Sequence, residues 1–459
     1  MERSDCRQEQ DSMGSVQVPA RAYYGSQTQR AADNFFDSGL KPPRPFLYAL
    51  ARIKSAAALV NVDLGLLDEQ LGKAIGQAAN EILTGQFDDQ FIVDLFQTGS
   101  GTSTHMNLNE VIASRANELL TGTRGGRSPV HPNDHVNLGQ SSNDVVPSAI
   151  HVAAAVNLRQ QLLPAIHRLQ RNLSDKAEQF KSIRKIGRTH LQDALPIALG
   201  EEFSGYAHQL QRGRQRIAES LSRLCELPLG GTAVGTGANA YPEFAARVIA
   251  VLSRQLGIDF YEAVNHFEAQ AARDAVVETS GALKTLAVSL VKIANDIRLM
   301  GSGPRCGLGE LKLPEIQPGS SIMPGKINPV IPESVIQAAY QVMGNDTTIM
   351  LCGQAGNFEL NVTMPLLAHN LIQSIDLLTG ACNMFAGKCI QGLEAQLEVC
   401  EANIEKSLAL VTALVPEIGY DRAAEVAKKA HQAGKTIRQV VTEEAILPNE
   451  RLARLLDKY

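Results

Sequence analysis

Residues 317 to 333, QPGSSIMPGKINPVIPE, bring together groups that can bind an anion or move a proton. The stretch holds two serines, one lysine and a final glutamate among four prolines and two glycines. Backbone N–H groups of a loop fixed by glycine and proline, together with Lys326 and Asn328, are suited to stabilising negative charge that develops during a reaction. Taken alone, the stretch is also compatible with an ordinary connection between two helices, in which Ser320 is a turn residue.

Three more segments are rich in Gly, Ser, Thr, Asn or His: TGSGTSTHMNLNE at 98 to 110, HPNDHVNLGQSSND at 131 to 144, and GRTHLQD at 187 to 193. Each is predicted to run directly into a helix. Side chains of this kind are expected N-caps, yet the free N–H groups and positive dipole end of a helix N-terminus also favour an anion. The candidate donors in the four segments are Ser100, Thr102, Asn107, Ser141, Ser142, Asn143, Thr189 and Asn328. Composition alone does not show that they converge on one anion.

Other sequence patterns give weaker evidence of a function. His131 and His135 have a spacing that suits a metal, but a zinc site needs at least a third protein ligand and the sequence signposts none. The glycine-rich GGTAVGTGAN at 230 to 239 lacks the G-x-G-x-x-G spacing of a dinucleotide fold, so we interpret it as a loop with closely packed backbone. The sequence contains no G-x-S-x-G elbow and no P-loop.

Long helices are predicted to position these segments. From 280 to 300 the apolar residues recur at spacings of three and four, a pattern that extends back to about Glu268. The same pattern predicts helices over 144 to 180, 194 to 225 and 328 to 350, with Pro147 and Pro164 at first-turn positions or kinks. Strand-like alternation is scarce. Periodic segments of this length predict a mostly α fold built on a bundle of long helices.

Three domains are predicted. They are an N-terminal, mainly helical domain at 1–139, a central long-helix bundle at 140–395 that forms the oligomer core, and a small C-terminal helical domain at 396–459. A chain of 459 residues is long enough for two or three domains. With 44% hydrophobic residues, 5% aromatics and no Trp, its core is expected to be mostly aliphatic.

Composition also indicates which partners and which cellular location to expect. The formal net charge of −5 and the lack of a dense basic cluster argue against a nucleic-acid partner. Seven cysteines without a C-x-x-C pair are typical of reduced thiols. The polar opening MERSDCRQEQDSMG does not fit a secretory or transit signal, and no apolar run approaches the ~20 residues that span a bilayer. We therefore expect a soluble cytoplasmic protein without a membrane partner.

Seven motifs together resemble the class II fumarate hydratases of the fumarase/aspartase superfamily. GSSIMPGKINP at 319 to 329 resembles the superfamily signature. The others are GSGT at 99, HPNDHVN at 131, QSSND at 140, GRTHLQDA at 187, GGTAVGTG at 230 and GNFELNV at 356, and the resemblance runs from about Asp11 to about Leu455. It implies a three-domain, mostly α subunit in a homotetramer with a multi-helix core and active sites shared between subunits. It also implies a reversible, metal-independent hydration of fumarate to (S)-malate in the tricarboxylic acid cycle, with no cofactor.

The resemblance also implies roles for individual residues. Ser320 would take the proton from carbon, His190 would act on the oxygen side, and Glu333 would orient that histidine. Lys326 and Asn328 would stabilise an aci-carboxylate intermediate. The two carboxylates of the dicarboxylate substrate would be bound by Ser100, Gly101, Thr102, Ser141, Ser142, Asn143, Thr189, Ser321, Lys326, Ile327 and Asn328. A second anion site of undefined role would comprise His131, Pro132, Asn133 and Asp134.

Two alternatives stay open at the level of sequence. Aspartate ammonia-lyases share GSSIMP, and NPVIPE after Lys326 resembles them as well as one branch of fumarases. His131, Ser142 and GNFELN favour the hydratases. His105 departs from the Asn that is common in the family, which bears on the first carboxylate site. The other alternative, a non-catalytic dicarboxylate-binding descendant, conflicts with the joint presence of the five proposed catalytic residues.

Overall fold

The fold is described from a computed structural model that covers residues 6 to 457, and helices form most of it. The helices are α1 Ser26–Asn34, α2 Arg44–Asp63, α3 Glu69–Ile82, α4 Thr102–Thr121, α5 Ser142–Asn157, α6 Leu163–Gln179, α7 Leu199–Leu224, α8 Phe244–Leu256, α9 His266–Ala271, α10 Asp274–Met300, α11 Val330–Gly353, α12 Met364–Phe385, α13 Leu397–Lys406, α14 Val415–Ile418, α15 Tyr420–Ala433, α16 Ile437–Glu443 and α17 Asn449–Leu456. Short 3₁₀ or π segments occur at Asp88–Gln90, Pro132–Val136, Leu158–Leu162, Ala386–Ile390 and Leu408–Leu414. The predicted mostly α fold class is confirmed.

Strands occur as two-stranded pairs, of which β5 with β6 is parallel and the others are antiparallel. The pairs are β1 Cys6–Asp11 with β2 Gly14–Pro19, β3 Arg184–Thr189 with β4 Gln192–Ala198, β5 Glu226–Leu227 with β6 Tyr261–Glu262, β7 Leu311–Lys312 with β10 Glu394–Ala395, and β8 Gly356–Asn357 with β9 Leu360–Asn361. The β3–β4 hairpin is the pair that carries predicted site residues.

Two compact units make up the described chain. The first comprises the residues up to Pro164 together with Gln215–Ala287 and Ala339–Thr379. The second comprises Ala165–Arg214, Val288–Ala338 and the residues from Gly380 onward. The three domains divided at 139/140 and 395/396 stay a prediction.

Aliphatic side chains fill the core of each unit. In the first unit, α2 buries Phe46, Leu50, Ile53 and Val60 at helical spacing, and it packs against α3, α5 and α8. Full burial of one such side chain stabilises the fold by roughly 1.5–3 kcal/mol. In the second unit, the helices from α14 onward share one apolar cluster with the 3₁₀ turn before them; it contains Leu410, Leu414, Val426, Ala430, Ile437, Val440, Val441, Leu452 and Leu456. No helix within residues 6 to 457 is long and apolar enough to cross a lipid bilayer.

Two of the predicted long helices are confirmed. Residues 330 to 353 form α11, and residues 142 to 179 form α5 and α6 joined by the π turn Leu158–Leu162. Of the two prolines noted in the sequence, Pro147 lies inside α5 and Pro164 lies in the first turn of α6, just after the π turn. Proline has no N–H to donate, and in a regular α-helix its ring clashes with the carbonyl four residues earlier. The wider π turn before Pro164 avoids this clash. The Leu163 N–H accordingly donates to the carbonyl of Leu158, five residues back.

The starts of the other two helices were predicted wrongly. Helix α7 begins at Leu199 rather than 194, because Gln192–Ala198 is a strand paired with β3. Helix α10 begins at Asp274, because Ala272 has extended backbone (φ −82°, ψ 150°) that ends α9. Neither break contains a glycine, and only the first contains a proline, so the apolar period continues across the second without a signal.

Candidate active site

The predicted site residues are divided between the two units. The first unit holds Ser100, Gly101, Thr102, His131, Pro132, Asn133, Asp134, Ser141, Ser142 and Asn143. The second unit holds Thr189, His190, Ser320, Ser321, Lys326, Ile327, Asn328 and Glu333. Each group is described by itself.

The N-terminus of α4 is a glycine turn with two hydroxyls on it. Gly101, with φ 77°, occupies the N-cap position, and its left-handed backbone suits glycine. The hydroxyls of Ser100 and Thr102 are 2.8 Å apart and share a hydrogen bond. At Gly99 an added Cβ would collide with the carbonyl of Val362, so only glycine fits there. The GSGT motif is therefore dictated in part by backbone packing.

The N-terminus of α5 is closed by a capping box. The Ser141 hydroxyl accepts the Asn143 N–H at 3.2 Å, and the Ser141 N–H donates to the Asp144 carboxylate at 2.9 Å. Ser142 then occupies the first helical position. The expectation that these segments provide N-caps is confirmed for Ser141.

Asp144 connects α5 to the glycine-rich loop, a role that the sequence did not reveal. Its buried carboxylate accepts the N–H groups of Gly230 at 2.9 Å and Thr232 at 3.1 Å in addition to that of Ser141. Burial raises the pKa of Asp144, while these three backbone donors oppose the rise. The Asn143 side-chain amide donates to the carbonyl of Ala233 in the same loop at 2.8 Å.

The glycine-rich loop has the closely packed backbone that its sequence predicts. A Cβ added to Gly231 would collide with the Gln270 side chain, and one added to Gly230 would lie 2.5 Å from the Ala245 Cβ. The loop is thus held against α8 and α9 while its amides fix Asp144.

The first turns of α4 and α5 contact each other. An added Cβ on Gly101 would lie 3.0 Å from a methyl of Val146, and His105 Nδ1 lies 2.8 Å from Ser142 Oγ. The structure therefore brings two of the predicted carboxylate-binding segments together within one unit.

The predicted second anion site forms a π turn, Pro132–Val136, that His131 caps. His131 Nδ1 accepts the N–H groups of Asn133 and Asp134, both at 3.1 Å. Burial lowers the pKa of His131, and Asp134 opposes this effect. A neutral ring that accepts at Nδ1 carries its proton on Nε2, which can donate to an anion.

In the second unit, residues 319 to 328 form a closed and largely exposed loop around Ser320. The Ser320 hydroxyl oxygen accepts the N–H groups of Ile322 at 3.2 Å and Met323 at 2.9 Å. Hydrogen bonds to an oxygen favour its charged form. Two fixed amides therefore point at the atom that is predicted to become an alkoxide.

Lys326 and Asn328 close this loop. The Gly319 N–H donates to the Lys326 carbonyl at 2.8 Å, and the Asn328 amide donates to the Gly319 carbonyl at 2.6 Å. The Lys326 ammonium donates to Asn328 Oδ1 at 2.8 Å. An added Cβ on Gly319 would lie 2.5 Å from the Lys326 carbonyl oxygen, so the closure requires glycine. Ser321 and Ile327 are exposed on the same loop.

His190 lies at the tip of the β3–β4 hairpin, not in front of a helix as predicted. Thr189 pairs with Gln192, leaving His190 and Leu191 as a two-residue turn with φ 57° and 60°. Two consecutive positive φ values give the turn type whose twist matches paired strands. The imidazole is thereby presented to solvent at an exposed tip.

A buried cluster of charges holds the base of this hairpin, and the sequence did not single it out. Arg188, two residues before His190, makes a bidentate ion pair with Glu310 at 2.8 and 2.9 Å. Lys185 contacts Glu202 at 2.9 Å and Glu310 at 3.3 Å. Arg188 is visible within GRTHLQDA, but nothing in the sequence marks Glu310 as its partner.

Glu333 lies in the first turn of α11, as the sequence predicts. Across residues 6 to 457, no hydrogen bond or ion pair joins its carboxylate to the His190 imidazole. The orienting role of Glu333 therefore stays a prediction.

Comparison with protein families gives two matches. A family described as "Lyase" matches residues 14–344, and one described as "Fumarase C C-terminus" matches residues 410–459. The helical fold and the first match together define the class as a lyase.

Proteins of similar sequence and structure identify the family within the lyases. The chain is 54% identical over 433 residues to a class II fumarate hydratase of Nitrosomonas europaea, covering 94% of each, and 55% identical over 453 residues to that of Halobacterium salinarum, covering 99% of this chain and 96% of the relative. The crystal structure of a class II fumarase from Schistosoma mansoni matches with a TM-score of 0.95 and 41% identity, over 98% of both chains. The chain belongs to the class II fumarate hydratase family.

Proposed function

We propose that the chain is a fumarate hydratase that reversibly adds water to fumarate to give (S)-malate. The activity is the one for which its relatives are named. The observation in its own structure that best supports the proposal is the pair of backbone N–H groups on the Ser320 hydroxyl.

The reaction removes or adds a weakly acidic proton beside a carboxylate. In the dehydration direction, a base takes the C–H proton and its electron pair moves into the carboxylate, giving an aci-carboxylate. Loss of the hydroxyl, protonated as it leaves, then forms the double bond. The intermediate carries roughly one more negative charge than the dianionic substrate, so fixed donors and cations around it lower the barrier.

Ser320 is the proposed carbon base. Each unit by which its pKa falls needs about 1.4 kcal/mol of preferential stabilisation of the alkoxide. Hydrogen bonds to a charged oxygen are stronger than those to a neutral one, so the Ile322 and Met323 amides stabilise the alkoxide more than the hydroxyl. The Lys326 ammonium, held by Asn328 in the same loop, adds positive charge near the developing alkoxide and aci-carboxylate.

His190 is the proposed acid–base group for oxygen, because an imidazole can accept a proton at one nitrogen and donate it again. It removes a proton from water in hydration and protonates the departing hydroxyl in dehydration. The exposed hairpin tip leaves this ring free to meet a substrate. Glu333 is the proposed orienting carboxylate, which fixes the imidazole as in other paired bases.

The first turns of α4 and α5 are the proposed carboxylate sites, with Thr189, Ser321 and Ile327 completing the contacts. Helix N-termini offer N–H donors and a positive dipole end. We further propose a homotetramer in which different subunits supply these donors and the Ser320 and His190 segments. A cytoplasmic role in the tricarboxylic acid cycle, and anion binding at His131–Asp134, are part of the same proposal.

The test follows the ultraviolet absorbance of fumarate with purified protein. Absorbance is expected to rise with (S)-malate and to stay constant with L-aspartate. A rise with aspartate alone would replace the hydratase by an ammonia-lyase. No change with either, combined with measurable dicarboxylate binding, would make the chain a binding protein.

A further inference from the structure

His105 is a buried titratable residue for which the mechanism above has no role. It lies in the first turn of α4, its side chain is fully buried, and its Nδ1 is 2.8 Å from the hydroxyl oxygen of Ser142. Ser142 is the first residue of α5 and one of the proposed carboxylate ligands. A histidine of one helix thus contacts a proposed carboxylate-binding residue at the start of another.

The other ring nitrogen indicates which atom of this pair is the donor. Nε2 is buried and has no hydrogen-bond partner within residues 6 to 457. An unpaired N–H is rarer in protein interiors than an unpaired acceptor, so the proton belongs on Nδ1. Nδ1–H therefore donates to the Ser142 oxygen.

Burial keeps the His105 ring neutral, next to a lysine that is buried as well. Lys54 is fully buried and donates to Asn137 Oδ1 at 2.9 Å and to Gln140 Oε1 at 2.8 Å. Burial lowers the pKa of His105 well below its usual value, and the charge of Lys54 lowers it further. The ring is thus neutral. Burial lowers the pKa of Lys54 as well, so the tautomer of His105 is assigned from the unpaired Nε2 and not from the charge of the lysine.

The direction of this hydrogen bond decides what Ser142 can bind. If the hydroxyl donated to His105, its oxygen would present only lone pairs to a substrate carboxylate and repel it. When His105 donates instead, the single Ser142 proton is left for the carboxylate.

We propose that His105 is a positioning residue that turns the Ser142 hydroxyl into a donor for a substrate carboxylate. The inference rests on the proposed function, because it concerns the same dicarboxylate site. We assign this contact to the carboxylate that does not become the aci-carboxylate. Its charge is the same in the bound substrate and in the transition state, so His105 is predicted to act on substrate binding rather than on the chemical step.

Two variants of His105 and one matched control test this role. His105→Leu keeps a buried side chain but removes the donor, whereas His105→Asn keeps a side-chain N–H. His151→Leu is the control. His151 is also buried, lies on α5 and has an Nε2 without a hydrogen-bond partner among residues 6 to 457, but its Nδ1 contacts the backbone carbonyl of Glu226. KM and kcat are measured for fumarate and (S)-malate, together with the Kd of succinate, a dicarboxylate that cannot react.

His105→Leu is expected to raise both KM values and the succinate Kd about tenfold, with kcat within about twofold, because the Ser142 hydroxyl loses the donor that fixes its orientation and its proton can turn away from the carboxylate. His105→Asn is expected to recover most of that loss, and folded His151→Leu to keep the original KM. An unchanged KM in His105→Leu, or an equal rise in His151→Leu, would overturn the inference. Failure of the unsubstituted chain to hydrate fumarate would instead overturn the proposed function.

Discussion

His190 has a backbone conformation that few residues other than glycine adopt. Its φ of 57°, followed by 60° at Leu191, costs on the order of 1–2 kcal/mol per residue relative to the right-handed region. Pairing of β3 with β4 holds both residues in the turn. In this conformation the imidazole is exposed at the end of two paired strands, which suits a residue that must contact a substrate.

Replacement of His190 by asparagine is expected to lower kcat by orders of magnitude without unfolding the chain. Asparagine tolerates positive φ better than most residues, so the turn survives while the acid–base group is lost. Steady-state turnover of malate and circular dichroism are the measurements. Leu191→Asn is the control, because it makes the same substitution at the next turn position and is expected to keep activity.

Near-normal turnover in His190→Asn would remove this residue from the mechanism. A comparable loss in Leu191→Asn would instead point to the conformation of the hairpin tip. His131→Asn, in the proposed second anion site, is expected to lower turnover far less than His190→Asn does.

Individual site residues were predictable where they form part of a dense motif. Ser320, Lys326 and Asn328 stand in one loop, and the glycines and prolines around them already indicated a constrained backbone. Asp144, Glu310 and Lys54 were not singled out, since each acts through partners that are distant in sequence: Asp144 binds Gly230, and Glu310 binds Arg188. Such pairings follow from the tertiary fold, which a local pattern does not contain.

At the scale of elements, a buried ion cluster anchors the β3–β4 hairpin. The side chains of Glu310 and Lys185 are 0% and 2% exposed, and Arg188 is 15% exposed. Charges this deeply buried require partners, and removal of one partner costs about 3–5 kcal/mol because the other is left uncompensated.

Glu310→Gln is therefore expected to lower the free energy of unfolding by about 3–5 kcal/mol and also to reduce kcat. The second effect follows because Arg188 holds the strand that leads to His190. Thermal unfolding and malate turnover, measured below the unfolding temperature, check the two effects. Glu69→Gln is the control: it breaks the exposed Glu69–Lys73 pair on α3 and is expected to change stability by less than about 0.5 kcal/mol.

Equal stability of Glu310→Gln and Glu69→Gln would show that the buried cluster does not anchor the hairpin. A stability loss with unchanged turnover would separate the cluster from catalysis. Both outcomes can be read from the same pair of variants.

Long elements were more predictable than short ones. The apolar period predicted helices over 328 to 350 and 144 to 180, close to the observed 330 to 353 and 142 to 179, because burial of one helix face repeats every three or four residues. The β3–β4 hairpin was missed, since its turn is His190–Leu191 rather than the Asn-Gly or Asp-Gly that usually marks such turns. Period alone also cannot show the extended backbone of Ala272, which divides α9 from α10.

At the scale of the whole molecule, some residues of the proposed site belong to the first unit and the others to the second. The carboxylate-binding residues at α4 and α5 lie in the first unit, and Ser320 and His190 lie in the second. The proposed homotetramer supplies both groups to one site from different subunits.

Dissociation of the proposed tetramer is accordingly expected to abolish hydration. Activity and sedimentation velocity are measured together across a dilution or mild denaturant series, with circular dichroism as the control that the subunits stay folded. Activity should disappear with the tetramer peak. A folded and fully active monomer would rule out a shared site.

The central claim is that the Ser320 hydroxyl, held by two loop amides, exchanges the carbon-bound proton of the substrate. The most direct measurement compares Ser320→Ala and Ser321→Ala with the unsubstituted chain during hydration of fumarate in D₂O, followed by proton NMR. The unsubstituted chain is expected to form malate with one deuterium on the carbon beside the hydroxyl-bearing carbon, in one configuration. Ser320→Ala should form it orders of magnitude more slowly, while Ser321→Ala should mainly raise KM. Formation of deuterated malate by folded Ser320→Ala at the rate of the unsubstituted chain would contradict the claim.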